Sequence, residues 1–225
     1  MKTIGLLIII FTLIGKTFFG GQKREEEIII FVPGLGDDKQ FWLFESWWKK
    51  DGFEVLTFKT GWKSEESFEN KLERLNKLIK EKSKNKKVVL IGTSAGGSLA
   101  INAYYKSPDK IKKVITVCSR LKQGELDGFR GFKARTKGYP TFAESIIKTE
   151  EIEKQLTQED KKRIMTVRAM LGDELVPGNT ATIDNATNIT VPTMEHNISI
   201  ALSLTVFSKP LAEFIEEKII DVKSE

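Results

Sequence analysis

Residues 87–101 read Lys87-Val88-Val89-Leu90-Ile91-Gly92-Thr93-Ser94-Ala95-Gly96-Gly97-Ser98-Leu99-Ala100-Ile101, and the fold follows from them. The apolar run that ends at Ile91 is too short for a helix and lacks the polar alternation of a strand with one wet face. It reads as a strand buried on both faces of a parallel sheet. Beyond Gly92 the pattern turns helical, which predicts a helix over Ala95 to Lys106. The junction is G-x-S-x-G between a strand and a helix. Glycines two positions before and after Ser94 remove Cβ atoms where strand and helix crowd together, so the serine hydroxyl is left exposed on a sharp turn. Free amides at the start of the helix favour negative charge at the same spot. Two blander readings share this string: a turn that only packs a helix on a sheet, and a phosphate-cradling loop. A Walker loop would need Gly-Lys-Ser/Thr, which is absent, and no G-x-G-x-x-G follows the first strand.

Similar short apolar runs flank this one on both sides. Ile28 to Val32 ends in Pro33-Gly34-Leu35-Gly36, and further runs lie at Phe53 to Phe58, Val114 to Cys118, Ile164 to Met170 and Ile189 to Met194. That makes six strands or more. Between them the spacing predicts helices over Lys39 to Lys50, Glu66 to Ser83, Thr141 to Lys154, Asn197 to Phe207 and Pro210 to Ile220. Phe68, Leu72, Leu75, Leu78 and Ile79 share one face of the second of these, and its other face is mostly Lys and Glu. The βαβα alternation predicts an α/β fold, a mostly parallel central sheet with helices on both faces and functional loops at the carboxyl ends of the strands. Residues 120–163 lie between two strands and read as a short cap insertion over the site.

At 225 residues the chain is expected to form one domain beyond its N-terminal segment. A net charge of +5 is too small and too dispersed to imply a nucleic-acid partner. Residues 59–87 carry ten Lys or Arg against five Asp or Glu, which reads as a solvated helix face and leaves open attraction to an anionic membrane surface. One cysteine, Cys118, and one histidine, His196, exclude an intramolecular disulfide, a thiolate zinc cage and a His-rich metal site. Cys118 at a strand end reads as a small buried hydrophobe.

A serine hydroxyl is a poor nucleophile until a base takes its proton, and the base is usually a histidine oriented by a carboxylate. His196, in Met194-Glu195-His196-Asn197 just past the last strand, is the one imidazole available. The orienting acid is expected at another strand end. Gly172-Asp173-Glu174-Leu175-Val176-Pro177 supplies Asp173 as the choice, with Glu174 as its competitor and Asp184 a weaker one. Ser94, Asp173 and His196 therefore follow three different strands.

On these residues the sequence resembles the α/β-hydrolase family over roughly Glu27 to Ile220. Gly92-Thr93-Ser94-Ala95-Gly96 is similar to its nucleophile elbow, the loop around Asp173 to its acid loop, His196 to its base, and Pro33-Gly34-Leu35-Gly36 to its oxyanion loop, with Pro33 where that family commonly has His. The resemblance implies a serine hydrolase in which Ser94, Asp173 and His196 are catalytic and the backbone amides of Leu35 and Ala95 form the oxyanion hole. It implies no metal and no organic cofactor. The substrate expected is a carboxylic ester, a lipid or a small acyl compound. An acyltransferase or thioesterase with the same three residues is the alternative, and so is a non-catalytic binding protein on this fold.

Substrate clues are thinner. Phe129, Phe132, Tyr139, Pro140 and Phe142 could line an acyl pocket, although aromatic residues in such an insertion more often make its small core. Trp42, Trp47 and Trp48 read as core. Asp37 and Asp38 read as helix caps whose charge would disfavour anionic substrates. Ile4 to Ile14, uniformly apolar or neutral behind Lys2, resembles the h-region of a signal peptide. Gly15 to Phe19 offers no small-x-small cleavage site, so residues 1–22 are expected to be either a cleaved leader or an uncleaved membrane anchor. Either would place the domain at 23–225 outside the cytoplasm. The alternative is an edge element of a cytoplasmic domain.

Overall fold

The computed structural model describes residues 24–36 and 41–217. The N-terminal segment 1–22 and the pair Asp37 and Asp38 lie outside these described residues, as do the last residues of the C-terminal helix expected to reach Ile220. Among the described residues six strands form one parallel sheet: β1 (Arg24–Val32), β2 (Phe53–Thr57), β3 (Lys87–Thr93), β4 (Ile111–Val117), β5 (Ile164–Ala169) and β6 (Thr187–Val191). Their order across the sheet is β2-β1-β3-β4-β5-β6. Eight α-helices accompany them among the described residues: α1 (Phe41–Lys50), α2 (Phe68–Lys82), α3 (Ala95–Lys106), α4 (Phe132–Thr136), α5 (Pro140–Glu153), α6 (Gln158–Lys162), α7 (His196–Ser203) and α8 (Lys209–Glu216).

The central strands have no polar face because both sheet faces are covered. Along β1 the side chains alternate between two cores. Ile28, Ile30 and Val32 join Phe68, Leu72, Leu75 and Ile79 of α2, Leu99 of α3 and Ile146 of α5. Ile29 and Phe31 join Phe41, Phe44 and Trp48 of α1, Leu204, and Leu211 and Phe214 of α8. Period-2 geometry sends neighbouring residues to opposite sides, and every residue from Ile28 to Val32 is fully buried. The register runs Ile28↔Val88 through Val32↔Gly92, which brings the Pro33–Gly36 loop beside the turn after β3.

Helix faces follow the spacing with two corrections. Lys71 sits within the Lys-rich stretch that reads as solvated, yet it is wholly buried. Its ammonium donates to the Gly61 carbonyl and Ser64 Oγ, both at 2.7 Å, and burial pushes its pKa below the ordinary lysine value. Trp48 is core, but Trp42 is 62% exposed. Phe41, Phe44 and Trp48 are spaced by three and four residues and share the inward face of α1, whereas Trp42 is rotated about 100° from Phe41. Trp48 donates its indole N–H to the Leu204 carbonyl at 2.9 Å and packs on Phe53 with centroids 5.4 Å apart.

Within residues 120–163, α5 lies against α3 through a buried polar seam. Ser98 Oγ and Ser145 Oγ are 2.7 Å apart, and the Asn102 amide donates to the Ser145 carbonyl at 3.1 Å and to Thr149 Oγ1 at 2.9 Å. These buried partners satisfy one another and fix the axial position of α3, and hence of Ser94 just before it. Residues 120–139 follow β4, with Leu121 in the core and Phe132 and Tyr139 packed against it.

Candidate active site

Ser94 sits between β3 and α3 at φ 51°, ψ −122°, a backbone region costly for any residue with a side chain. Its N–H donates to the Val117 carbonyl of β4 at 3.0 Å. The turn is tight because of what it lacks. A Cβ on Gly96 would meet the Val32 carbonyl oxygen at 1.8 Å and the Pro33 oxygen at 2.8 Å, and a Cβ on Gly34 would meet the Ser94 Cβ at 2.7 Å. The Gly96 neighbours are backbone and have no room to move aside. Gly96→Ala is therefore expected to force α3 off β1 at a cost of about 1–3 kcal/mol, lowering the melting temperature by roughly 2–4 °C per kcal/mol. An unchanged melting curve would show that the close approach is dispensable.

The loop between β5 and β6 brings the acid. Gly172 takes φ 110°, and the chain then folds so that Asp173 Oδ1 accepts from the amides of Leu175 at 2.8 Å and Val176 at 2.9 Å. Its other oxygen, Oδ2, lies 2.7 Å from His196 Nδ1. His196 Nε2 is 2.9 Å from Ser94 Oγ. The His196 side chain is 4% exposed and the Asp173 side chain is also nearly covered, so water competes weakly for both bonds. With the proton on Nδ1, His196 donates to Asp173 and accepts from the Ser94 hydroxyl. That arrangement can withdraw the hydroxyl proton and return it to a leaving group.

The competing acids are engaged elsewhere. Glu174 Oε2 accepts from the His196 backbone N–H at 3.0 Å. Asp184 pairs with Lys122 at 3.2 Å. His196 opens α7 rather than preceding it, and β6 ends at Val191, before Pro192, which cannot donate to a ladder. The N-cap is Glu195, at φ 72°, whose carboxylate accepts from Ile198 N at 2.7 Å. That left-handed residue aims His196 back over the sheet, and nothing in the sequence pattern announces it.

Pro33-Gly34-Leu35-Gly36 lies beside Ser94, and Gly34, Leu35 and Gly36 line the same pocket as Ser94 and His196. Ala95 is fully buried at the first position of α3. The loop is pinned by a residue the sequence reading missed: Trp62, just after β2, donates its indole N–H to the Pro33 carbonyl at 3.0 Å. Its ring also meets Phe142 edge-on at 5.8 Å between centroids. Cys118 is buried, and burial together with the nearby negative charge of Asp173 pushes its thiol far above the ordinary value, so it is held as a neutral hydrophobe.

The pocket over Ser94 has a volume of about 400 Å³. Leu43, Phe44, Phe142, Val176 and Ile200 give it apolar walls, and Arg120 and Arg135 give it a cationic one. Of the aromatic residues from 129 to 142, Phe142 faces this pocket, Phe132 and Tyr139 pack against the core, and Phe129 is 68% exposed. Among the described residues no cluster of His, Cys, Asp and Glu could hold a metal ion, and no helix is long and apolar enough to cross a membrane.

Three solved structures share this architecture. The monoacylglycerol lipase of Paleococcus ferrophilus superposes with a TM-score of 0.60 at 16% identity, over 88% of this chain and 96% of its own. A structure of the metagenome-derived lipolytic enzymes LipS and LipT gives 0.61 at 11% identity, over 88% and 99%. MGS-MChE2, an alpha/beta hydrolase enzyme from a lagoon-sediment metagenome, gives 0.57 at 15% identity, over 86% and 92%. At such identities these likenesses speak to the fold alone. No curated protein matches the sequence. The family model described as alpha/beta hydrolase fold matches residues 27–163, more than half of the chain. With a six-stranded parallel sheet, a serine in the turn after its third strand in chain order and this match, the chain belongs to the alpha/beta hydrolase fold family.

Proposed function

We propose that the protein is a serine hydrolase that cleaves a carboxylic ester of a small acyl or lipid substrate through an acyl-enzyme. The observation that carries this reading is the unbroken path from Ser94 Oγ to His196 Nε2 at 2.9 Å and from His196 Nδ1 to Asp173 Oδ2 at 2.7 Å. Ser94 Oγ attacks the ester carbonyl while His196 takes its proton, and Asp173 holds the imidazole in the tautomer that can accept it. The carbonyl oxygen becomes an oxyanion that the backbone amides of Leu35 and Ala95 receive, aided by the N-terminal end of α3. His196 then protonates the departing alcohol. Water enters, gives its proton to His196 and attacks the acyl-enzyme carbonyl, and Ser94 leaves with that proton as the acid product is released. The mainly apolar pocket wall suits an acyl chain.

The test is covalent and kinetic. A fluorophosphonate probe is expected to label folded protein on Ser94, found by peptide mass spectrometry, and p-nitrophenyl esters of graded acyl length are expected to be hydrolysed with one preferred length. Absence of any Ser94 adduct in folded protein would leave a binding protein on a hydrolase fold.

A further inference from the structure

The apolar pocket has one wall that its neighbours do not neutralise. Arg120 is 1% exposed, and its guanidinium donates only to backbone carbonyls: Nε to Lys122, Nη1 to Arg130 at 2.8 Å and Nη2 to Gln123. A guanidinium has five N–H groups, so one N–H on each Nη atom has no acceptor among the described residues. Arg135, on α4, lines the same pocket half-exposed, with no hydrogen bond or ion pair from its side chain to any described residue. Arg130 lies close by. One of its Nη atoms donates to the Asp173 carbonyl at 2.8 Å, and its Nε is buried without a partner. Burial first, and then the positive charges of Arg135 and Arg130, press the Arg120 pKa below its ordinary value.

Two guanidiniums, Arg120 and Arg135, therefore line one side of the pocket with Arg130 close to them, and none of the three has a carboxylate side chain bonded to it among the described residues. The nearby acids are committed. Asp173 serves His196 and two amides, Glu174 the His196 backbone, and Glu150 the side chain of Gln123 at 2.9 Å. Bringing like charges together out of water is costly unless an anion meets them. Guanidinium is also the side chain whose planar fork matches a carboxylate.

We infer that the ester this pocket takes carries a carboxylate, and that Arg135, backed by Arg120, is the specificity-determining residue that receives it. The inference rests on the proposed serine hydrolase reading and narrows its substrate class to anionic esters. It runs against the expectation drawn from Asp37 and Asp38, which lie outside the described residues, so experiment decides between the two cases.

The test uses the full-length chain and two matched substrate pairs. One pair puts the charge on the acyl side: p-nitrophenyl hydrogen adipate against p-nitrophenyl hexanoate. The other puts it on the leaving group: 4-butyryloxybenzoate against its methyl ester. In one pair the charged member is expected to be favoured in kcat/KM by about tenfold or more, and the pair that responds tells on which side of the scissile bond the carboxylate lies. Arg135→Gln is expected to bring that ratio down to roughly one, and Arg135→Glu to drive it below one. Lys133→Gln, an equal charge change at an exposed position on the same short helix, is the control for general electrostatic steering and is expected to leave the ratio intact. Arg120 is spared because its carbonyl bonds hold the surrounding loop.

Hydrolysis of both pairs without preference for the charged member overturns the inference and leaves the hydrolase reading standing. So does a preference that both Arg135 variants keep, or one that Lys133→Gln removes as well. No hydrolysis of any ester together with no fluorophosphonate adduct on Ser94 removes both.

Discussion

Ser94→Ala is expected to lower kcat for p-nitrophenyl esters by about 10⁴ to 10⁶-fold and to abolish fluorophosphonate labelling while leaving the fold intact. The size follows from the chemistry. Without the hydroxyl there is no acyl-enzyme, and only the polarising amides and substrate binding remain to help water attack. His196→Ala is expected to fall to a similar level, because a hydroxyl with no base 2.9 Å away stays protonated and the two residues act as one unit. The double variant should then be scarcely worse than either single one. Stability should move the other way. Ser94 is held at φ 51°, and glycine would relieve that backbone, so Ser94→Gly is expected to be equally inactive and to melt no lower than the unmodified protein. Retention of most of the turnover by Ser94→Ala would end the assigned mechanism.

The second large effect separates two neighbouring acids. Asp173→Asn is expected to cost on the order of 10⁴-fold in kcat, as when the orienting aspartate of a serine protease is changed to asparagine. An amide can present an N–H to Nδ1 and so place the imidazole proton on Nε2, facing Ser94, where it can no longer accept. Glu174→Gln should cost less than about tenfold, since among the described residues its side chain bonds only the His196 backbone N–H, and a glutamine oxygen can accept that bond. Asp173 also caps the amides of Leu175 and Val176, so part of the loss in Asp173→Asn could come from a loosened loop. Circular dichroism and KM, both expected to stay near the unmodified values, separate that contribution from the tautomer effect. The reverse order of losses would reassign the acid to Glu174.

Local crowding made the centre of the site legible in the residues. Gly92, Ser94 and Gly96 encode the strand-to-helix turn within five positions, and α3 begins at Ala95 and ends at Lys106 as the pattern predicts. The buried strands were equally plain, because a sheet covered on both faces demands consecutive apolar residues, and Ile28 to Val32 of β1 and Val88 to Ile91 of β3 supply them. Strand ends were less so. Ile189 to Met194 reads as one apolar run, but Pro192 breaks the ladder and Glu195 takes a left-handed turn that delivers His196. Lys71 and Trp42 departed from expectation because residue type records a preference for water or core, whereas position on a helix settles which is met.

The sequence by itself determined the layered α/β architecture, the serine at its turn and the identity of the only imidazole, because each depends on contacts between near neighbours or on a count. Tertiary structure alone decided how Asp173 and Glu174 divide their partners. Two adjacent carboxylates share the same spacing, and only the turn at Gly172 and the amides beyond it point one at the ring and the other at the backbone. It also decided that Trp62 pins the Pro33 carbonyl and that Arg120 and Arg135 line one pocket with Ser94. Those contacts join residues distant along the chain, and nothing in local pattern carries the direction in which a loop side chain points.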